Sequence, residues 1–467
     1  MSNISPYLES YLPPGILELL RDIGETAAAG GERVYLVGGV VRDLLLGQLP
    51  RANKFAPTPI SSGANLDLDL VVEGNAIALG RQIARIKNCG VRTHPRFGTA
   101  KLYHWPRSAG ACPPPVPAED EPRRYVENLS LDLATARSEV YARPGALPGV
   151  KPGTIEDDLW RRDFTINAMA VSLSPDSFGD LLDPHGGQDD LRRGLIRILH
   201  RGSFSDDPTR ILRALRYEKR LNFHLEQDTE GLMRQHLHSL DTVTGERLWH
   251  ELELILKEEC PEKALCRADE LGVLQRIHPA LRGDGWLAER FSLARQSAVS
   301  SRQSAVRGEV DYRLSAIDYR LTYLVLLIYR LTGEEVEGCI ARLKMPGWAA
   351  RAGRDMVRLR QSLSSLESAG LRPSEIYRRL SRHLPQVVEA AAIVSEQSVL
   401  PIVQQRLDLY LKKLRHVKSE LRGDDLQSMG VPPGRKMGQI LRALQSAKLD
   451  QMAVSREEEE ALVRRLL

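Results

Sequence analysis

Up to about residue 195 the apolar positions fall into short strand-like runs separated by amphipathic stretches. Beyond it only helical periods remain. Val34-Tyr35-Leu36-Val37 is an apolar, partly β-branched run stopped by Gly38-Gly39, which predicts a buried strand ending in a tight turn. Val40–Leu46 follows as a helix closed by Gly47. Asn65–Val72 alternates Asp67 and Asp69 with Leu66, Leu68 and Leu70, so a strand there turns both carboxylates to one face and the leucines to the other. Ala76–Lys87 predicts a helix behind that strand, Arg96–Tyr103 a glycine-containing turn and strand, and Leu129–Arg137 the next strand. Ile4–Gly30 reads as one amphipathic leader helix, with Leu17, Leu19, Leu20 and Ile23 on one side. Ser205–Tyr217 predicts a helix with Asp at its start and Pro in its first turn, and Gly245–Leu252 opens another. Residues 260–467 are helical throughout and dense in Leu, Ala, Arg and Glu. Two segments interrupt the pattern. Residues 48–65 are rich in Pro, Ser, Ala and Asn, and residues 106–124 carry Cys-Pro-Pro-Pro-Val-Pro, so both read as loop inserts. Gln296–Arg307, rich in Ser, Gln and Ala, reads as a flexible loop.

Length and composition narrow the class. The 467 residues allow two to four domains, and 42% hydrophobic with 27% charged residues is ordinary for a soluble globular chain. No apolar run approaches the roughly 20 residues of a membrane helix, and a basic-then-apolar leader is absent. A cytoplasmic protein without membrane contact is expected. The 5 cysteines are scattered without a C-x-x-C pair, which points to reduced thiols and away from zinc. A net charge of +4 says little about nucleic acid; local arginine clusters say more, because phosphate binding needs a basic face rather than a basic total. Aromatics make up only 5%, which argues against stacking many single-stranded bases.

The candidate chemistry sits where the first strands end. A strand-to-helix turn built on Gly38-Gly39 presents free backbone N–H groups and the positive end of a helix dipole to an anion. Arg42, one turn in, can add a bidentate charge. Asp67 and Asp69 on one strand face, beside such a turn, suit two divalent ions, a triphosphate and an activated hydroxyl. Asp132 on the following strand is a candidate third carboxylate, equally explained as a strand-edge residue. Arg161-Arg162-Asp163-Phe164-Thr165-Ile166-Asn167 sets two cations, a carboxylate and an amide before an apolar run. Asp207, Arg210, Arg213 and Arg216 share one broad helix face. A solvated ion-pair face explains such a row, and so does a protein imitation of a base-pairing edge, an acceptor beside a guanidinium fork.

Taken in order, Leu-Val-Gly-Gly-Val-Val-Arg-Asp-Leu-Leu-Leu-Gly followed by Asp-Leu-Asp resembles the first motif of the class II tRNA nucleotidyltransferases and bacterial poly(A) polymerases. The insert at 48–65 departs from the family's usual short connection. Arg161–Asn167 resembles the family's Arg-Arg-Asp-x-x-x-Asn motif, which implies Arg162 on phosphate and Asp163 and Asn167 on the sugar. Asp183–Leu191 is similar to the third motif. Asp206-Asp207-Pro208-Thr209-Arg210 resembles the Glu-Asp-x-x-Arg motif, with Asp206 in place of Glu; Asp207 and Arg210 are then base selectors supported by Arg213 and Arg216. Gly245–Leu252 resembles the fifth motif. The resemblance implies an α+β fold: a polymerase-β-like nucleotidyltransferase head of mixed sheet and helices over residues 1–185, a neck over 186–260 that selects the base, and a helical body and tail over 261–467 that binds tRNA. Basic helices at Arg354–Arg360 and Leu411–Lys418, and a Gly/Pro loop at Gly430–Gly438, would meet its phosphates. The implied reaction is template-independent addition of C and/or A to the tRNA 3′ end from CTP and ATP, with Asp67 and Asp69 as catalytic ligands of two Mg²⁺ ions. Poly(A) polymerase, a partial CC-adding or A-adding enzyme, and an inactive RNA-binding protein are the alternatives.

Overall fold

The computed structural model describes residues 2–47, 66–103, 129–140, 149–306, 319–395 and 401–467; the inserts expected at 48–65 and 106–124 lie outside the described residues. The chain divides into two compact units, Met1–Val243 and Thr244–Leu467.

The first unit is built on a seven-stranded sheet in the order β3-β4-β5-β2-β1-β8-β9. Its strands are β1 (Arg33–Val37), β2 (Leu66–Glu73), β3 (Gly90–His94), β4 (Thr99–Tyr103), β5 (Leu129–Thr135), β8 (Ala170–Ser172) and β9 (Leu181–Leu182); β6 (Arg137–Val140) and β7 (Gly149–Pro152) form a separate hairpin. Only β2 and β5 run parallel; every other pair in this sheet is antiparallel. Alternation in β2 does what its sequence requires: Leu68 and Leu70 are fully buried while Asp67 and Asp69 point away from them. Helices α2 (Pro14–Ala29) and α4 (Ala76–Lys87) cover the leucine face with Leu19, Leu20, Ile23, Leu79 and Ile83. The single leader helix expected over Ile4–Gly30 is two helices, α1 (Ser5–Tyr11) and α2, because Pro13 and Pro14 force Leu12 into an extended conformation. Helix α3 (Gly39–Leu46) follows β1 directly, and α5 (Ile155–Trp160) packs Ile155 and Leu159 against Tyr35, Val37 and Val71.

Three short helices complete the unit near the site: α6 (Gly187–Arg193), α7 (Ser203–Asp206) and α8 (Thr209–Arg220). The continuous helix expected from Ser205 is broken at Asp207-Pro208, where Asp207 is extended. β structure persists past Leu195 as the two-residue pair β10 (Leu195–Ile196) and β11 (His224–Leu225), too short to leave a pattern.

The second unit is helical in every described element, as the periodicity predicts. The loop expected over Gln296–Arg307 is instead helix through Val306, the last part of Gly285–Val306; Ala and Gln favour helix, and neither Gly nor Pro interrupts the run. On the basic faces expected to meet phosphate, Arg354 pairs with Glu337 at 2.7 Å, Arg358 with Asp355 at 3.0 Å and Lys412 with Asp408 at 2.9 Å, each cation staying at least half exposed.

Candidate active site

Val37, the last residue of β1, lies in register with Asp69 of β2, so the glycine turn begins beside that carboxylate. Gly38 holds φ +77° and ψ −139°, a conformation that only glycine adopts without strain. A Cβ there would lie 3.3 Å from Arg162 Nη1 and 3.5 Å from Asp69 Oδ2. Turn, arginine and carboxylate therefore converge on one point. Across the sheet Asp69 is level with Asp132 of β5, and Asp132 with Lys101 of β4, whose Nζ lies 2.8 Å from Asp132 Oδ2. Burial pushes the Asp69 carboxyl above its ordinary value; Arg162 and Lys101 oppose the rise, Asp132 and Asp67 add to it. Asp67, Asp69 and Asp132 thus share this end of the sheet with Lys101 and Arg162.

The arginine pair is fixed from below. Helix α5 starts at a capping box between Thr154 and Asp157, and its core-facing Ile155 and Leu159 anchor it. Asp158, fully buried, accepts from Arg161 Nε and Nη2 at 3.0 and 2.6 Å and from Arg162 Nε and Nη2 at 3.3 and 3.0 Å. Buried Asp163 accepts from Asn167 Nδ2 at 3.0 Å and from Arg213 Nε and Nη2 at 3.0 and 2.5 Å. Asn167 Oδ1 in turn accepts from Arg42 Nη1 at 2.9 Å. Burial would raise the Asp163 carboxyl, but Arg213, the Asn167 amide and Arg210 outweigh it and hold the group below the ordinary carboxylate value.

Helix α8 supplies the opposite wall. Asp207 Oδ1 accepts from the Thr209 amide at 3.0 Å and hydroxyl at 2.7 Å, which starts the helix. Arg210 donates to Ser203 Oγ and to the Arg161 carbonyl, both at 2.6 Å. Asp207, Arg210, Arg213 and Tyr217 then line one cavity of about 440 Å³ together with Gly38, Gly39 and Asp69.

The sequence of this unit matches the Poly A polymerase head domain over residues 34–197, and residues 222–283 match the probable RNA and SrmB-binding site of polymerase A. An A-adding tRNA nucleotidyltransferase from Halalkalibacterium halodurans is 34% identical over 435 residues, covering 92% of this chain and 88% of that protein. This chain belongs to the tRNA nucleotidyltransferase family. The A-adding tRNA nucleotidyltransferase of Geobacter sulfurreducens is 32% identical over 98% of the chain; the chain spans about half of that longer relative, 48% of it. A solved structure of a CCA-adding enzyme without ligand superposes with a TM-score of 0.73 at 29% identity, over 100% of this chain and 99% of that one.

Of the family positions read from sequence, Gly38, Gly39, Asp69, Arg162, Asp163 and Asn167 line the cavity, as do Asp207, Arg210 and Arg213. Arg42, Arg216 and Asp67 do not. Arg42 is buried behind the turn, 2.8 Å from Asp43 and bonded to Asn167. Arg216 is buried with its guanidinium 4.9 Å from the centre of the Tyr217 ring. Asp67 lies two residues before Asp69 on the same face of β2. Arg161, the first cation of the Arg161–Asn167 string, lines the cavity as well, whereas Asp158, Glu139 and Tyr217 escaped the sequence reading. Tyr217 was findable, since 210, 213 and 217 lie on one helical face; Asp158 was not, because nothing local marks a carboxylate as the one beneath two arginines.

Members of this family work with divalent metal ions. Asp67 and Asp69 offer only hard oxygen donors on one strand face, with Asp132 level with Asp69 on the next strand, so the residues fit such an ion. Among the described residues no three carboxylate, histidine or cysteine side chains converge to hold a metal by themselves. Substrate phosphate and water would complete the shell. No helix among the described residues is long and apolar enough to cross a membrane.

Proposed function

We propose that the chain adds the terminal A to the 3′ end of a tRNA that already ends in CC, using ATP and releasing pyrophosphate. The observation that carries the reading is the meeting, in one cavity, of an anion-binding glycine turn, a strand carboxylate and the Asp207–Arg210 edge. In this reading residues 1–185 form the catalytic head, 186–260 select the base and 261–467 hold the tRNA.

Two Mg²⁺ ions held by Asp67 and Asp69 would supply charge neutralisation of the triphosphate and a lowered pKa for the ribose 3′-hydroxyl. The backbone amides at Gly38 and Gly39 and the guanidinium of Arg162 bind the phosphates. Asp163 and Asn167 hold the sugar hydroxyls, with Arg42 fixing the Asn167 amide from behind and Arg213 fixing the Asp163 carboxylate from the cavity wall. Asp207 and Arg210 read the edge of the base; Arg210 is locked to Ser203 and Arg161, so the edge is preorganised rather than assembled on binding.

Addition of A alone is favoured over the whole CCA because the relatives that match nearly the whole chain above 30% identity carry the A-adding name. Complete CCA addition is the second reading, favoured by the CCA-adding structure that covers the full chain. The test uses purified protein, Mg²⁺ and three tRNA transcripts ending before CCA, after one C and after CC, with CTP and ATP separately and together. A single A on the CC-ended transcript alone is the expected result. Full CCA selects the second reading, long A tails identify a poly(A) polymerase, and no incorporation leaves an RNA-binding protein.

A further inference from the structure

Trp160 ends α5 and stays 49% exposed. His200 stacks on its ring at 5.2 Å and 26°, and His185 meets it at 5.3 Å and 48°. Burial lowers both imidazoles despite Asp206 and Asp183 nearby, so at neutral pH they are uncharged rings. The cluster is tied to the cavity wall through its neighbours in the chain. Arg161, the next residue, lines it and accepts the Arg210 bond at its carbonyl. His200 Nε2 is 3.8 Å from Asp206, the neighbour of Asp207.

A large aromatic side chain left half open to water is unfavourable, and this one is braced by two further rings rather than folded into the core. Arg161 and Arg162, cations suited to phosphate, follow it directly in the chain. An aromatic face beside guanidinium groups is the arrangement that holds a single-stranded base and its backbone. With so few aromatics in the chain, such a site serves one base, not a strand.

We propose that Trp160, braced by His200 and His185, is a stacking platform for one nucleobase at the mouth of the cavity. The inference rests on the function proposed above, in which two bases come to this place: the adenine of the incoming nucleotide and the last cytosine of the acceptor end. Both offer the same π face, and the experiment separates them.

Full-length wild type, Trp160→Phe and Trp160→Ala are compared in two measurements. The first titrates each with ATP, or with the dinucleotide CpC, and follows tryptophan emission. The quench present in wild type and absent from Trp160→Phe belongs to Trp160. Such a quench by ATP assigns the platform to the incoming base, and by CpC to the acceptor end. The second measures KM for ATP and for CC-ended tRNA. Trp160→Ala raises the KM of the stacked partner about five- to tenfold, while Trp160→Phe stays within about twofold of wild type. No Trp160-specific quench by either probe, or both KM values unmoved in Trp160→Ala, overturns the platform, as does a Trp160→Phe variant as impaired as the alanine. A wild type that extends no tRNA defeats the proposed function instead, and the quench still judges the platform.

Discussion

Replacing Asp158 by asparagine removes the negative charge that Arg161 and Arg162 share in the cavity wall. The carboxylate has no exposed surface and receives four N–H bonds of 2.6 to 3.3 Å. Breaking one side of a buried ion pair costs about 3–5 kcal/mol. The low end applies here for two reasons. The arginine side chains keep 20% and 17% of their surface open to water, and each retains a second partner, Glu139 for Arg161 and the Asn167 carbonyl for Arg162, both at 3.4 Å. The expected loss is therefore about 3 kcal/mol, roughly 150-fold in the opening equilibrium of the first unit. Hydrogen exchange at the β1 and β2 amides measures that quantity directly, because it follows the sheet and not the helical second unit. Protection factors there fall about 150-fold, and KM for ATP rises as Arg162 loses its orientation toward Gly38. Unchanged protection and unchanged KM would refute the assignment of Asp158 as the support of the pair.

Gly38→Ala places a Cβ 3.3 Å from Arg162 Nη1 at a φ of +77°; it costs about 1–3 kcal/mol of stability and about 100-fold in kcat/KM by displacing the triphosphate, both read from denaturant unfolding and steady-state kinetics. Asp163 titrates below its ordinary 3.8 in the folded chain, so the stability it contributes is complete above that value and is lost as pH falls through the lower folded value. Urea midpoints taken from about pH 5 to pH 3 show this acid-side loss, and Asp163→Asn flattens it. Arg210→Ala removes half of the proposed base-reading edge and the bonds to Ser203 and Arg161. Competition between ATP and CTP in this variant shows the preference reduced about tenfold or more, and an unchanged ratio would remove Arg210 from base selection.

The core of the first unit was legible wherever one face of an element is buried. β1, β2, α4 and β5 follow from apolar runs and from the Asp/Leu alternation, and α3 from the glycines at its two ends. Elements of two or three residues, such as β8 to β11, carry no period long enough to read. Two helix breaks were written in prolines, Pro13-Pro14 and Pro208, yet amphipathic spacing on both sides masked them. Within the site the groups that line the cavity came from local strings such as Arg161–Asn167 and Asp207–Arg213. What supports them did not, because support is a tertiary property: Asp158 is one of three acidic residues in the first turn of α5, and only its burial singles it out. Arg42 shows the same limit in reverse. Its position one turn into a phosphate-facing helix reads as an exposed charge, and packing instead turns it inward to Asp43 and Asn167.

The central claim is that the β2 carboxylates carry the chemistry while other parts of the chain hold the RNA. The direct measurement is single-turnover incorporation of A into CC-ended tRNA by Asp67→Ala and Asp69→Asn, with tRNA affinity of the same preparations determined in parallel. The account predicts that incorporation disappears in both variants while the Kd for tRNA stays within about threefold of wild type, since removing a metal ligand takes away transition-state stabilisation and not ground-state binding. Incorporation near the wild-type rate in either variant would contradict it.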